Sequence, residues 1–158
     1  MRIMRVLKKC LALFAVFMAF SGCSKPKTDE ALLRAIVENV ASSAREKDVK
    51  GVIKHISKDY NDDKGNDYDS AKGILIYEFL RSEKVSVFVM GVTVEVKEER
   101  ALVNARVVLV RGKEVKSIKD VIPEDASGFK FSIVFRKEDG QWKALSAKWD
   151  DTGLLGLL

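Results

Sequence analysis

Val85-Ser86-Val87-Phe88-Val89-Met90-Gly91-Val92-Thr93-Val94-Glu95-Val96-Lys97 is where the chain changes its period. Upstream, apolar residues recur at helical spacing. From here they recur at every second position. The even positions Phe88, Met90, Val92, Val94 and Val96 are apolar throughout. The odd positions begin apolar at Val85, Val87 and Val89 and turn polar after Gly91, at Thr93, Glu95 and Lys97. The pattern predicts a long strand covered on both faces in its first half and on one face in its second. Gly91 marks a bend or bulge.

Three more strands follow. Ala101, Val103, Ala105, Val107 and Leu109 share a face, with Asn104 and Arg106 opposite. Phe129, Phe131, Ile133 and Phe135 alternate with Lys130, Ser132 and Arg136, and Asp139-Gly140 then signals a tight turn. The last strand runs from Gln141 to Trp149. Strict alternation puts Trp142 and Trp149 on opposite faces, and puts Leu145, Ala147 and Trp149 on one. Between the second and third strands, 112–128 is a long excursion carrying Lys113, Lys116 and Lys119. It reads as a solvated loop or a ragged extension of the sheet, with a lid or a membrane-facing patch as alternatives.

Upstream of Val85 lie three helices. Asp29 is a candidate cap for the first, whose buried stripe is Leu33, Ile36, Val37, Val40, Ala41 and Ala44. Asp48 opens a shorter one with Val49, Val52, Ile53 and Ile56, weakened by Gly51. A third starts near Asp69 or Ser70 and buries Ile74, Leu75, Tyr77 and Leu80 in some combination. The expected fold is α+β: N-terminal helices packed on a curved antiparallel sheet of about four strands, in the cystatin-like class. One domain spans 29–150, and the helices are the available cover for its aromatic face.

Lys47-Asp48-Val49 after the first helix, Ile56-Ser57-Lys58-Asp59-Tyr60 before an acidic loop, and the closing hairpin Lys137-Glu138-Asp139-Gly140-Gln141-Trp142-Lys143 with Trp149 beyond carry a resemblance. With these marks, residues 30–150 resemble a nuclear transport factor 2-like domain, the ketosteroid isomerase-like or SnoaL-like cone. That resemblance implies helices set into the hollow of a curved sheet. In enzymes of this kind it implies an Asp, Glu or His inside the cone as general base. The fold hosts enzymes, ligand binders and dimerisation modules alike.

The inward phases of the strands hold Val, Phe, Ala, Ile, Leu and Trp, with no carboxylate or imidazole among them. A general base needs reach and a tuned environment, so the expectation is a non-catalytic ligand-binding or assembly module. The alternative is a small-molecule enzyme of isomerase or dehydratase type. His55, the only His, lies off the apolar stripe and reads as structural. Asp59, Asn61 and Asp63 alternate as in a calcium loop. Gly65 falls one place late, however, Ser70 stands where a bidentate Glu belongs, and Lys64 intrudes, so a turn-rich connection is expected. Tyr60, Tyr77 and Trp149 are candidates to line a cavity between helices and sheet, or to fill plain core. No metal or cofactor is expected.

The first twenty-three residues set the expected location. Arg2, Arg5, Lys8 and Lys9 precede an unbroken apolar run from Cys10 to Phe20. That run is too short to span a bilayer and suits a signal peptide over 1–22. Phe20-Ser21-Gly22-Cys23 resembles the lipobox of bacterial lipoproteins, with Phe20 where an aliphatic residue is usual. The resemblance implies lipidation of Cys23 and acylation of its new amino group. Plain secretion, with cleavage after Ser21, is the other reading. Residues 23–28 form a tether reaching about 20 Å at most. Ser24 favours the outer membrane, facing the periplasm, where two membranes exist.

Without the signal the chain carries 24 basic and 23 acidic residues, a net of +1. The precursor's +5 therefore argues for no nucleic acid. The expected partners are the bilayer, through acylated Cys23, and a second copy or another envelope protein. The tail 151–158 ends in four Leu within five positions. It must pack on the sheet or meet a partner.

Overall fold

The computed structural model describes residues 28–157. Cys23, the signal over 1–22 and the rest of the tether lie outside the described residues. Three helices come first: α1 (Asp29–Arg45), α2 (Val49–Ile53) and α3 (Tyr68–Arg81). Four strands follow: β1 (Val85–Lys97), β2 (Arg100–Arg111), β3 (Ala126–Glu138) and β4 (Gln141–Asp151). They form one antiparallel sheet in the order β1-β2-β3-β4.

The α1 cap is Thr28, not Asp29: the Thr28 side chain accepts from the Ala31 amide at 3.2 Å. Asp29 is thereby freed for a longer reach. Its carboxylate accepts from Lys137 Nζ and from Trp142 Nε1, each at 2.9 Å. These bonds fasten the start of α1 to the β3–β4 hairpin. Asp67, not Asp69 or Ser70, caps α3 by accepting from the Ser70 amide.

Leu33 of α1 is fully buried among Ala101, Val103, Phe135 and Trp142, with Ile36, Val37, Val92, Val94, Ile133 and Ala144 around them. This is the front core. It contains the inward face read from β2 and β3.

Two bulges set the phases. In β1, Val89 pairs with Val107 and Gly91 with Arg106, so Met90 has no partner. The extra residue shifts the alternation. Val85, Val87 and Val89 therefore share the front face with Val92, Val94 and Val96, while Phe88 turns to the back. The predicted irregularity at Gly91 is real. In β4, Val134 pairs with Ser146 and Phe135 with Ala144, leaving Leu145 as the extra residue. Trp142 and Trp149 consequently both face front. The expectation of opposite faces fails because strict alternation does not survive a bulge.

The back of the sheet has its own core, in which Val108, Val110 and Leu157 are buried. Phe88, Val115, Ile118, Val121, Ala126 and Leu154 pack around them. The excursion is thus neither a free loop nor a lid. It returns across the back through two short turns, Ile118–Asp120 and Pro123–Asp125. Val115 N donates to Ser86 Oγ at 2.8 Å. The tail crosses the same face, and Thr152 N donates to Gly128 O at 2.8 Å. A Cβ on Gly128 would lie 2.1 Å from Gly153 O, so only glycine admits the crossing.

Segment 55–63 runs along the outer edge of β4. Ser57 N donates to Ala144 O, Ala144 N to His55 O and Asn61 N to Leu145 O. This cover occupies edge groups that would otherwise invite pairing with another chain.

Among the described residues no helix is long and apolar enough to cross a membrane.

Candidate functional site

The front face reads as four rows across the sheet. Val89, Val107, Phe129 and Asp151 form one, and Val92, Ala105, Phe131 and Trp149 the next. Val94, Val103, Ile133 and Ala147 follow, then Val96, Ala101, Phe135 and Ala144. The last two rows carry the packing of α1. The first two hold an aromatic run: the rings of Phe129 and Phe131 are 5.9 Å apart, and those of Phe131 and Trp149 6.4 Å. All three rings are half-buried. Lys64 Nζ lies 4.0 Å from the centre of the Trp149 ring, so the acidic loop reaches the front of β4.

Of the three cavity candidates, Trp149 stands on this front face and Tyr60 is buried at 7% exposure. Tyr77 is not there. It is 60% exposed on α3, and Arg81 lies over its ring. The helix turns the other way from the expected one. Phe79 is buried and Leu75 half-buried, while Ile74, Tyr77 and Leu80 face outward, Leu80 at 81% exposure. Several faces of this sequence are apolar, so its period alone did not select the inward one. Nothing among the described residues covers this ridge.

Three ionisable groups lie near the front: Tyr60, His55 and Asp151. Burial, with the charges of Asp62 and Asp63 behind it, pushes the Tyr60 hydroxyl up to about 12. It does not ionise at neutral pH. His55 is half-buried and its Nε2 has no partner. Burial lowers its pKa, and Lys54 and Lys143 lower it further. Asp151, at the end of the first row, is exposed and accepts from the Gly153 amide.

The acidic loop is a folded turn. Asp62 is buried, and its carboxylate accepts from the amides of Lys64 and Asn66 and from Asn66 Nδ2. Burial raises its pKa, but the Asn66 side chain and these two amides outweigh that and lower it. Gly65 supplies the positive φ of +80°. Asp59 accepts from Arg136 Nη2 at 2.7 Å. Arg136 also holds Glu138, which accepts from the buried Ser57 hydroxyl at 2.7 Å. Asp59 and Asp62 thus serve protein donors. No group of three or more His, Cys, Asp or Glu gathers as a metal site among the described residues.

On the back of the sheet, beside the tail, lies a groove of about 650 Å³. Its floor is two adjacent rows. Gly91, Arg106, Lys130 and Asp150 make one, and Thr93, Asn104, Ser132 and Lys148 the other. The alternation of Asn104, Arg106, Lys130 and Ser132 opposite the apolar face was legible in the sequence. That the tail folds back beside these rows to meet Arg106 was not. Arg106 Nη1 donates to Leu157 O at 3.0 Å.

No family model matches this sequence, and no curated protein matches it in sequence. Solved structures do match in shape. A proposed dehydratase of the NTF2-like family from Streptomyces avermitilis superposes with a TM-score of 0.65 at 14% identity, over 81% of this chain and 99% of that one. A proposed aromatic ring hydroxylase from Novosphingobium aromaticivorans gives 0.64 at 14% identity, over 82% and 92%. Bd1075 of Bdellovibrio bacteriovorus gives 0.63 at 13% identity, over 75% of this chain and 40% of that longer one. At such identities the likeness concerns the fold: an NTF2-like cone of the cystatin-like class.

Proposed function

We propose that this protein is a lipid-anchored component of the bacterial cell envelope. In this reading Cys23 is acylated, and the NTF2-like domain binds a ligand or a partner without performing chemistry on it. The observation that carries the non-catalytic part is the composition of the front rows. Their middle positions are Val, Ala, Ile and Phe, and on the marginal strand β4 Trp149 is followed on the same face by Asp151, which is exposed to water. A general base in this fold would need a carboxylate or imidazole tuned by burial at those middle positions. The anchor rests on the Phe20-Ser21-Gly22-Cys23 motif behind a short apolar run. Two or three acyl chains hold a protein stably, because each buried CH₂ contributes about 0.8 kcal/mol.

Labelled palmitate should enter the wild-type chain and fail to enter Cys23→Ser. An unlabelled wild type overturns the anchor. The similar structures described as dehydratase and hydroxylase favour a second reading, an enzyme acting inside the cone. Proton abstraction beside a carbonyl exchanges hydrogen with solvent, so the two readings separate in deuterated water. The binding reading expects no deuterium to enter a panel of cyclic ketones. Incorporation that disappears in Tyr60→Phe or His55→Gln establishes the enzyme.

A further inference from the structure

The back groove gathers positive charge. Three cations, Arg106, Lys130 and Lys148, line it against one carboxylate, Asp150, while the whole mature chain carries a net of +1. Arg106 and Lys130 are direct cross-strand partners. Lys148 lies diagonally across from Lys130, about 7–8 Å away between Cα atoms, within reach of long side chains. Among the described residues, neither lysine makes an ion pair or a side-chain hydrogen bond. Asp150 stands directly opposite Lys130 and offsets part of this charge, which leaves the groove a net excess of two positive charges. Thr93, Asn104 and Ser132 add neutral donors between them.

Arg106 is placed with more care than an ordinary surface arginine. The β1 bulge brings Gly91 opposite it, and the missing side chain makes room for the guanidinium. A Cβ on Gly91 would lie 3.1 Å from Arg106 Nη2 and 3.5 Å from Nε. On the far side the Leu157 carbonyl takes one of the five N–H groups, which leaves four for a ligand. Bulge and tail thus orient one fork-shaped donor over the groove. A guanidinium held this way suits the paired oxygens of a phosphate or carboxylate.

We propose that this groove is a binding site for an anionic group, a phosphate or a pair of neighbouring carboxylates, on a small molecule or a lipid headgroup. Its volume falls in the range of small-molecule sites. Three cations from three strands converge on it, and the net excess of positive charge attracts anions electrostatically. The site lies on the sheet face opposite the one that α1 covers. It also does not depend on the anchor: failure of palmitate labelling would leave it standing.

The test uses the full chain in neutral detergent micelles and inorganic pyrophosphate as probe, followed by titration calorimetry at low and at physiological salt. Saturable binding that weakens with salt is expected. The double variant Lys130→Gln/Lys148→Gln, which touches no contact within the fold, should weaken it about tenfold. Gly91→Ala should weaken it as well, by displacing the Arg106 fork, while the front core keeps its hydrogen-exchange protection. Lys116→Gln/Lys119→Gln, on the excursion, should leave it unchanged. Adding phosphatidylglycerol to the micelles, with phosphatidylcholine as control, identifies the source. Selective competition assigns a headgroup, and its absence assigns a soluble anion. The proposal is overturned if neither pyrophosphate nor phosphatidylglycerol binds saturably. It is also overturned if the excursion variant loses as much affinity as the groove variant.

Discussion

The two faces of this sheet are covered by different kinds of chain. On the front, α1 lays a periodic stripe across β1–β4, and Leu33 is sealed among Ala101, Val103, Phe135 and Trp142. On the back, Val108 and Val110 are covered by an excursion and a tail that have no repeating period. Both arrangements remove apolar surface from water, and only the first is built from regular elements. A regular helix fixes many side chains for each backbone constraint. An irregular strap depends on a few single contacts, such as Thr152 to Gly128 and Arg106 to Leu157. The front should therefore behave as the cooperative unit and the back as a cover that opens locally.

The sharpest test of that contrast is a pair of matched truncations. Leu33→Ala removes a fully buried side chain between a helix and a sheet that cannot collapse toward each other freely. It should cost about 3–4 kcal/mol in urea unfolding, at the middle of the range for such sites. Leu157→Ala removes an equally apolar side chain at 5% exposure from a strap that can shift or detach. It should cost about 1–2 kcal/mol and leave the front core protected from hydrogen exchange. Equal losses, or global unfolding in both, would break the distinction.

A smaller effect should separate the strap from the sheet itself. Gly128→Ala places a carbon where Gly153 O now sits, while β3 has no other reason to refuse alanine. The tail should lift away, exposing Val108 and Val110 to solvent and the 152–157 segment to proteolysis. The cost should be about 1–2 kcal/mol. Combined with Leu157→Ala it should be less than additive, because both changes release the same strap. Full additivity would mean that Gly128 acts within the sheet instead.

The same contrast explains what the sequence could be made to say. The front was legible because its elements keep a period: the α1 stripe, the inward face of β2 and β3, and the turn at Asp139-Gly140 all stand where alternation put them. The bulge in β1 was legible because Gly91 marks it. The bulge in β4 falls on Leu145, flanked by Ala144 and Ser146, and nothing in that composition distinguishes it from regular strand. The single unmarked residue moved Trp142 to the same side as Trp149. The orientation of α3 was hidden for another reason. Ile74, Leu75, Tyr77, Phe79 and Leu80 offer apolar side chains on several faces, and the neighbours that chose Phe79 are distant in sequence. The groove required both kinds of information. Its floor follows from alternation, and the Leu157 carbonyl that orients Arg106 comes from a tail whose apolar residues carry no register.

The weakest lever is pH, and it should act on one face only. Hydrogen bonds from Lys137 and then Trp142 hold the Asp29 carboxyl below its usual range. Ser57 and then Arg136 lower Glu138, and the Asn66 contacts lower Asp62 against its burial. All three fasten the helical side: the start of α1, segment 55–61 and the loop beneath it. Each has a folded value below its unfolded one, so the unfolded chain takes up more protons in acid. Their stabilisation is complete above about pH 4–5, the ordinary carboxylate range. It is lost as pH falls through the lower, folded values. The back strap is held mainly by apolar contacts and by bonds such as Thr152 N to Gly128 O that do not titrate, with Asp151 on the Gly153 amide and Asp125 on Lys113 as its carboxylate contacts. Hydrogen exchange compared at pH 6 and pH 3 should therefore show protection falling first in the opening turn of α1 and in residues 57–67. Thr152 and Leu157 should keep theirs. Asp29→Asn should flatten the acid response of α1 alone. If the tail amides open before α1 does, charge is not what distinguishes the two covers.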